Sequence, residues 1–455
     1  MKRYDAIVIG SGCGMLIVEE ALSHDLSVAL VDRGPLGGTC LNLGCIPSKM
    51  LIYPADRVVE IQEAAKLGIT AELKQVDFNW IMERMRKSVR DAQVHMRQGV
   101  SQSENLDFYE GEGHFTADYT VEVNGDKLRG DLVFIACGSR PFVPSTKGLD
   151  TVNYLTSEGI LQLTERPESI IVIGGGYIGV EYGHFFAAMG TAVTILEMAD
   201  RLVINEEPEI SHLLQEELGR RMRIRTGALV EEVKHSGDGV AVMARDASSG
   251  AKTKFIAEKV VVAVGRRSNA DLLRLEKTGV ATDEKGFIKV NEYMETGKRD
   301  IFAVGDANGR YMFTHVANRE AQIAAHNALH GRGMKMDYSA VPHAVYSHPQ
   351  IAAVGLTGDM AKKSYNILVG RSRYFDVANG EAMMEEKGFA KAVVEKKSGR
   401  ILGFHIIGPL APILVQEVTN AIASGGHLDS IRAGIHIHPA LSELIEHTLS
   451  NLTEV

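Results

Sequence analysis

Twice along the chain a short apolar run ends in clustered glycines, passes into a helix-forming stretch and returns as a second apolar run closed by an acid. The first copy reads Asp5 to Ile9, Gly10-Ser11-Gly12-Cys13-Gly14, a helix over Leu16 to Ser23, then Val28 to Val31 ending at Asp32. The second reads Ser169 to Ile173, Gly174-Gly175-Gly176-Tyr177-Ile178-Gly179, a helix over Val180 to Met189, then Ala192 to Leu196 ending at Glu197. A lone Gly-x-Gly-x-x-Gly is weak, because glycines cluster in turns for many reasons. Here a strand precedes each cluster, a helix follows, and an acid stands about 20 residues on, where it can accept hydrogen bonds from ribose hydroxyls. Two βαβ units binding ADP-containing ligands are expected. In the first, Met15 occupies the third fingerprint position, so the helix should sit less tightly on its strand, or Gly14 must take part of that role. In the second, the charge of Glu197 would repel a 2′-phosphate and favour NAD over NADP, a preference that nearby Arg201 softens.

At 455 residues, with 45% apolar and 24% charged positions, the chain is long enough for about three domains with real cores. Its net charge of −9 gives no electrostatic footprint for nucleic acid or an anionic membrane. Four cysteines do not make a disulfide-stapled secreted protein. Met1-Lys2-Arg3 leads directly into a strand pattern with no cleavage site, and the apolar runs fall short of the ~18 residues that span a bilayer. A cytoplasmic location is the default expectation.

Cys40 and Cys45 lie in Gly37-Gly38-Thr39-Cys40-Leu41-Asn42-Leu43-Gly44-Cys45-Ile46-Pro47-Ser48-Lys49. In a regular helix a five-residue step rises ~7.5 Å, beyond the ~7 Å between Cα atoms that a disulfide tolerates. The segment must therefore be irregular, and Gly37, Gly38 and Gly44 allow that. Pro47 reads as the first turn of a helix beginning just after Cys45. The helix dipole, its free N–H groups and the Lys49 cation would then favour a thiolate at Cys45. A purely structural disulfide closing so short a loop would add only ~2 kcal/mol. A zinc site completed by His436 and His438 is disfavoured by the single residue between those histidines. Redox chemistry is the preferred reading, and no metal-ligating set is expected.

Beyond these units, Gly138 to Pro144 reads as a crossing between them, Val260 to Gly265 closes one unit, and Asp300 to Asp306 is a buried strand ending on Gly-Asp. From about Tyr338 strands and helices alternate (Phe389 to Val394, Ile401 to Gly408, Leu414 to Ala423) without another glycine fingerprint. In His436-Ile437-His438-Pro439-Ala440-Leu441-Ser442-Glu443, His438 precedes a helix-starting proline, and Glu443 could orient its imidazole as a general acid/base. His438 could equally be a helix cap or a surface residue, and His436 and His447 are rivals.

This ordered set of motifs resembles the FAD-dependent pyridine nucleotide-disulfide oxidoreductases of class I across essentially the whole chain. The resemblance implies an α/β fold with two Rossmann-like dinucleotide-binding domains and a C-terminal α+β dimerisation domain. Residues 1–145 and 265–337 would form the FAD-binding and central part, 146–264 the NAD-binding domain, and 338–455 the interface domain of a homodimer. It makes Cys45 the thiolate beside the flavin and Cys40 the thiol that exchanges with substrate. Lys49 would pair with Glu181 near flavin N5. Gly10, Gly12, Gly14, Asp32, Thr39, Gly138, Asp306, Thr314, His315 and Val316 would serve FAD, and Gly174, Gly176, Gly179, Glu197 and Gly265 would serve NAD. Tyr177 resembles an aromatic gate over the nicotinamide pocket. His438, with Glu443, would act on the sulfur pair of the other subunit.

Within the family, the cysteine run and Glu197 look most like dihydrolipoamide dehydrogenase. Thr314 to Ala321 and Gly12-Cys13-Gly14-Met15 look closer to mycothione reductase. Mercuric reductase is disfavoured, because the ending Leu452-Thr453-Glu454-Val455 has no cysteine pair. The expected function is two-electron transfer between NAD(H), FAD, the Cys40/Cys45 pair and an external dithiol or disulfide, with lipoyl groups on a small molecule or a protein as substrate. The alternatives are an NAD(P)H-dependent reductase of another small disulfide or of a metal ion, and, in a different class, a docking subunit of a multienzyme complex or a metal-binding protein. Cys13 and Cys137 read as small buried residues, and Trp80, Arg84, Arg86 and Arg90 as a solvated face or substrate contacts.

Overall fold

Alternating bulky and small apolar residues carry the opening strand through Lys2–Ile9, with its last four residues buried. The computed structural model describes residues 1–454, which divide into two compact units.

The first unit gathers Met1–Ser48, Met82–Phe142 and Gly265–Asp337. Its seven-stranded sheet has the order Leu106–Glu110, Val28–Asp32, Lys2–Ile9, Asp126–Ile135, Thr120–Val123, His114–Ala117, and Ile301–Ala303 also pairs with Asp126–Ile135. The first four strands and Ile301–Ala303 run parallel, and the remaining two form an antiparallel meander. Parallel strands need covering on both faces, which accounts for their near-continuous apolar runs. Ile7, Val31, Leu128, Val133, Ile135 and Ile301 fill one face.

The helices begin earlier than their apolar periodicity predicts, at Gly14 rather than Leu16 and at Tyr177 rather than Val180. The fingerprint turns feed straight into the first helical turn. Ser139–Pro141, within the expected crossing, is a strand paired antiparallel with Arg266–Ser268.

The second unit gathers Lys49–Ile81, Val143–Val264 and Tyr338–Val455. It holds a parallel sheet in the order Arg223–Arg225, Ala192–Leu196, Ser169–Ile173, Lys259–Val262, and a three-stranded antiparallel sheet of Ala228–Ser236, Gly239–Asp246 and Lys252–Ala257. A six-stranded antiparallel sheet runs Pro342–Val345, Ile351–Gly355, Ile401–Ile407, Phe389–Glu395, Ile367–Arg373, Leu452–Glu454. The helices Ala411–Ala423 and Glu443–Ser450 bury Leu414, Val418, Leu444 and Leu449 in that sheet's core. Among the described residues no helix is long and apolar enough to cross a membrane.

Candidate active site

The glycines of the first fingerprint separate by what a side chain would meet. A Cβ on Gly14 would lie 2.9 Å from Val8 Cγ1, whereas on Gly12 it would find only Gly38 Cα, at 3.9 Å. Gly14 therefore supplies the close helix–strand approach, and the looser packing expected from Met15 does not arise. Gly12 leaves bare backbone facing open space, the arrangement a pyrophosphate requires. Asp32 accepts the Ser11 N–H and hydroxyl at 2.6 Å each on one oxygen, and the Gly34 N–H at 2.8 Å on the other.

The second fingerprint repeats this scheme. A Cβ on Gly179 would sit 2.0 Å from the Gly174 carbonyl oxygen, while Gly176 has nothing within 4 Å. Glu197 accepts the Gly175 N–H at 2.5 Å and the Ala199 N–H at 2.7 Å. Both acids are held by backbone amides and keep lone pairs for a ribose. Arg201 donates to the Ile204 carbonyl at 3.0 Å and pairs with Asp200 at 3.4 Å. Open backbone at both second glycines and a fixed acid beside each make the two turns fit dinucleotides.

Cys40 lies in a short helix, Gly38–Asn42, and Cys45 opens a second, Cys45–Glu63; Leu43 and Gly44 break the path between them. Buried Asn42 pins the segment by donating to the carbonyls of Leu36 at 2.9 Å and Gly38 at 2.8 Å and accepting from Gln93 at 2.6 Å. The cysteines stand as hydrogen-bonded thiols. The hydrogen bond that Cys40 donates to Cys45 first, and burial second, push the Cys40 thiol well above its ordinary value, with Thr314 opposing. Cys45 Sγ lies 3.3 Å from the hydroxyl of Thr314, the first residue of the helix Thr314–Leu329. Two helix N-termini thus converge on one sulfur, and each favours negative charge there.

In the same unit, Asp306 accepts from the Ser139 hydroxyl, which in turn accepts from Arg266 Nε at 2.7 Å. His315 stacks on Phe313 at 5.5 Å. Thr39 sits beside Cys40 in the short helix, while Gly138 and Gly265 flank the paired strands Ser139–Pro141 and Arg266–Ser268. Burial pushes the thiols of Cys13 and Cys137 up to about 12, while as whole residues both are partly rather than completely enclosed, where the sequence suggested small buried residues. Glu320, fully buried, accepts the Gly305 N–H at 2.6 Å and the Asn308 amide at 2.8 Å. No local pattern in the sequence marks it.

In the second unit Lys49 Nζ lies 2.6 Å from Glu181 Oε2 and 4.5 Å from the Tyr346 ring centre, and the Tyr346 N–H donates to Glu181 Oε1 at 3.0 Å. Tyr177 donates to Glu206 Oε1 at 2.7 Å, His343 reaches the same oxygen at 2.7 Å, and the two rings stack at 5.8 Å. Burial pushes the Glu206 carboxyl up, but His343 and Tyr177 outweigh it and hold the group below the usual carboxylate range. Burial, then the Glu206 charge, raises the Tyr177 phenol. Glu206 and His343 were missed in the sequence; the adjacent Glu206-Glu207 ahead of Pro208 is the only local hint.

His438 Nδ1 lies 2.8 Å from Glu443 Oε1, and the other Glu443 oxygen accepts the Ala440 N–H at 3.0 Å. Pro439 does not start a helix as expected. The helix begins at Glu443, because the preceding residues fold into a turn closed by that carboxylate. The Ala440 N–H first, then His438, hold Glu443 below the usual carboxylate range. His436 has its own carboxylate, Glu417 at 2.9 Å, and His447 lies in the last turn of the helix. Trp80 is exposed on the helix Phe78–Gln102, where Arg86 and Arg90 both pair with Glu83, and Arg84 lies on the same helix.

Residues 4–321 match the family model described as pyridine nucleotide-disulphide oxidoreductase, and residues 341–449 match that family's dimerisation domain. The chain is 35% identical over 465 residues to mycothione reductase of Mycobacterium tuberculosis, covering 99% of this chain and 100% of the relative. It is 36% identical over 450 residues to dihydrolipoyl dehydrogenase of Geobacillus stearothermophilus, covering 97% and 94%. Among solved structures it resembles the HOCl-induced flavoprotein disulfide reductase RclA from Escherichia coli, with TM-score 0.87, 27% identity and coverage of 98% and 99%. The chain therefore belongs to the class I pyridine nucleotide-disulfide oxidoreductases, enzymes that use FAD and a pyridine nucleotide, and it carries the family's dimerisation domain.

Proposed function

We propose that the protein is an NAD-linked oxidoreductase of the dihydrolipoyl dehydrogenase type, acting as a homodimer on a lipoyl dithiol. The reading rests above all on the asymmetry of the cysteine pair, with Cys45 under two helix N-termini and Cys40 held as a thiol. Residues 1–145 and 265–337 bind FAD, 146–264 bind NAD, and 338–455 form the dimer interface. FAD, when bound, supplies the two-electron relay between pyridine nucleotide and sulfur.

The chain's own groups then divide the work. His438, oriented by Glu443 and supplied by the partner subunit, takes the proton of an incoming substrate thiol. The substrate thiolate attacks Cys40 of the oxidised pair, the Cys40–Cys45 bond breaks, and Cys45 leaves as a thiolate. His438 releases that proton to solvent and takes the proton of the second substrate thiol, whose thiolate attacks the first substrate sulfur. Cys40 departs and takes the proton that His438 holds, and the substrate leaves as a disulfide. The high proton affinity of Cys40 suits it to this role, and the helix termini suit Cys45 to hold charge. Lys49 and Glu181 would lie by the flavin, Tyr177 would gate the nicotinamide pocket, and Glu197 would disfavour a 2′-phosphate.

A second reading, reduction of a mycothiol-type disulfide, is favoured by the full-length likeness to mycothione reductase. Steady-state rates with dihydrolipoamide and NAD, and with lipoamide, glutathione disulfide, mycothione and Hg(II) using NADH or NADPH, separate the readings. Turnover confined to mycothione would sink the leading one.

A further inference from the structure

At the end of the first unit's helix pair, three ligand-type side chains meet, and a fourth, His326, lies one helical turn before His330. The helix Gly14–Ser23 carries Glu20 and is capped by His24; the helix Thr314–Leu329 carries His326 and is capped by His330. The His24 and His330 rings lie 4.9 Å apart, and His326 and His330 5.0 Å apart. Glu20, His24 and His330 each offer a ligand atom, and these atoms all lie within 4.8 Å of one another. Glu20 Oε1 and His330 Nε2 are 3.7 Å apart, beyond hydrogen-bond reach but close enough for one ion to bridge them.

Two further observations point to a cation. His24 Nδ1 lies 2.9 Å from the Glu20 carbonyl oxygen. A carbonyl can only accept, so Nδ1 carries the hydrogen and Nε2 of the neutral ring keeps its lone pair, the arrangement seen in ligating histidines. The two capping histidines also mark the converging C-termini of both helices, whose dipoles place partial negative charge at the same spot.

We propose that Glu20, His24 and His330 bind a divalent ion of the zinc and copper class. Imidazole and carboxylate suit these borderline ions, whereas magnesium and calcium prefer all-oxygen sets. The ion would tie together the distal ends of two helices whose opposite ends carry the first fingerprint turn and Thr314. No local pattern announces the set, because each half is an ordinary helix end and the halves come from opposite ends of the unit's sequence.

The test uses air-oxidised holoenzyme, in which the Cys40/Cys45 disulfide offers no thiolate. Calorimetric titration with zinc chloride should give one ion per chain, and bound zinc should raise the thermal midpoint. In His24→Ala/His330→Ala the affinity should fall by more than ~10-fold, the least expected when even an outer partner of a metal site is lost, and zinc should no longer shift the midpoint. Glu20→Gln should bind more weakly than wild type, and Cys40→Ser/Cys45→Ser should bind as wild type. With one equivalent of Cu(II), electron paramagnetic resonance should show nitrogen superhyperfine structure that disappears in the double histidine variant. Absent zinc binding, unchanged binding in that variant, or binding lost with the cysteines would each overturn the proposal.

Discussion

The hydroxyl of Thr314 lies 3.3 Å from the sulfur of Cys45, joining residues 269 positions apart in the sequence. It brings a second helix N-terminus to the sulfur that already opens its own helix. On anaerobic addition of NADH, the wild-type protein should develop the long-wavelength absorbance of a thiolate beside the flavin. Cys45→Ser should lack the band and Cys40→Ser should keep one. A hydrogen bond to a charged group is worth ~1.5–3 kcal/mol, so in Thr314→Val the band should appear only at higher pH, with Thr314→Ser restoring the wild-type profile. An intact band in Cys45→Ser would overturn the assignment of the two sulfurs.

His438→Ala should lower dithiol turnover by ~10²- to 10⁴-fold, the usual contribution of a positioned general acid/base. Reduction of the flavin by NADH, followed in a stopped-flow instrument, should be largely unchanged. If both half-reactions fall together, His438 serves the structure rather than proton transfer. His436→Ala should have little effect on either, because its partner is Glu417.

Glu197 sits on two backbone amides, with Arg201 occupied by Ile204 and Asp200. Glu197→Gln keeps an acceptor while removing the charge that opposes a 2′-phosphate. The ratio of kcat/KM for NADH over that for NADPH should fall by about tenfold, equivalent to ~1.4 kcal/mol. An unchanged ratio would move nucleotide selection elsewhere.

Glu206 links Tyr177 and His343 through one buried oxygen. Its carboxyl titrates below the usual range in the folded protein. The unfolded chain therefore binds more protons between the folded and unfolded values, and stability rises with pH across that window. The contribution should be complete above the ordinary carboxylate range and lost as the pH falls through the depressed value. Glu206→Gln should cost ~1.5–3 kcal/mol near neutrality, and the difference from wild type should shrink on acidification. Denaturant unfolding at several pH values measures it, and a pH-independent difference would contradict the sign.

Local patterns carried much of the fold. Both fingerprint turns, the strands on either side and the acids closing them were legible, because a short continuous apolar run followed by clustered glycines and a helix has few other solutions. Cys40 and Cys45 announced an irregular segment through chain geometry alone, and the break at Leu43 and Gly44 is that irregularity. At the third fingerprint position, held by Met15, the sequence left two outcomes open, a looser helix or Gly14 taking over the role, and Gly14 is the residue that meets Val8. What stayed hidden joins distant parts of the chain: Thr314 to Cys45, Tyr177 to Glu206 and His343, and Asn42 to Gln93. Such pairings leave no periodic trace, since each partner is locally an ordinary polar residue. The start of the last helix at Glu443 was missed for a related reason. A carboxylate that closes its own turn looks, in sequence, like any acid near a proline.

One hydroxyl ties the redox segment to the nucleotide turn. Ser11 Oγ donates to Asp32 and accepts the Gly37 N–H at 3.0 Å, just where the chain enters the cysteine helix. The Cys40-to-Cys45 stretch is therefore not a portable cassette. Grafted onto another scaffold without Ser11, Asp32 and the Asn42 latch, it would lose the anchors at its entrance and its middle, and the spacing between its sulfurs would have nothing to enforce it. Gln93, which holds Asn42, and Thr314, which meets Cys45, come from still later parts of the chain, so the sulfur pair is set by the whole unit around it rather than by its own short segment.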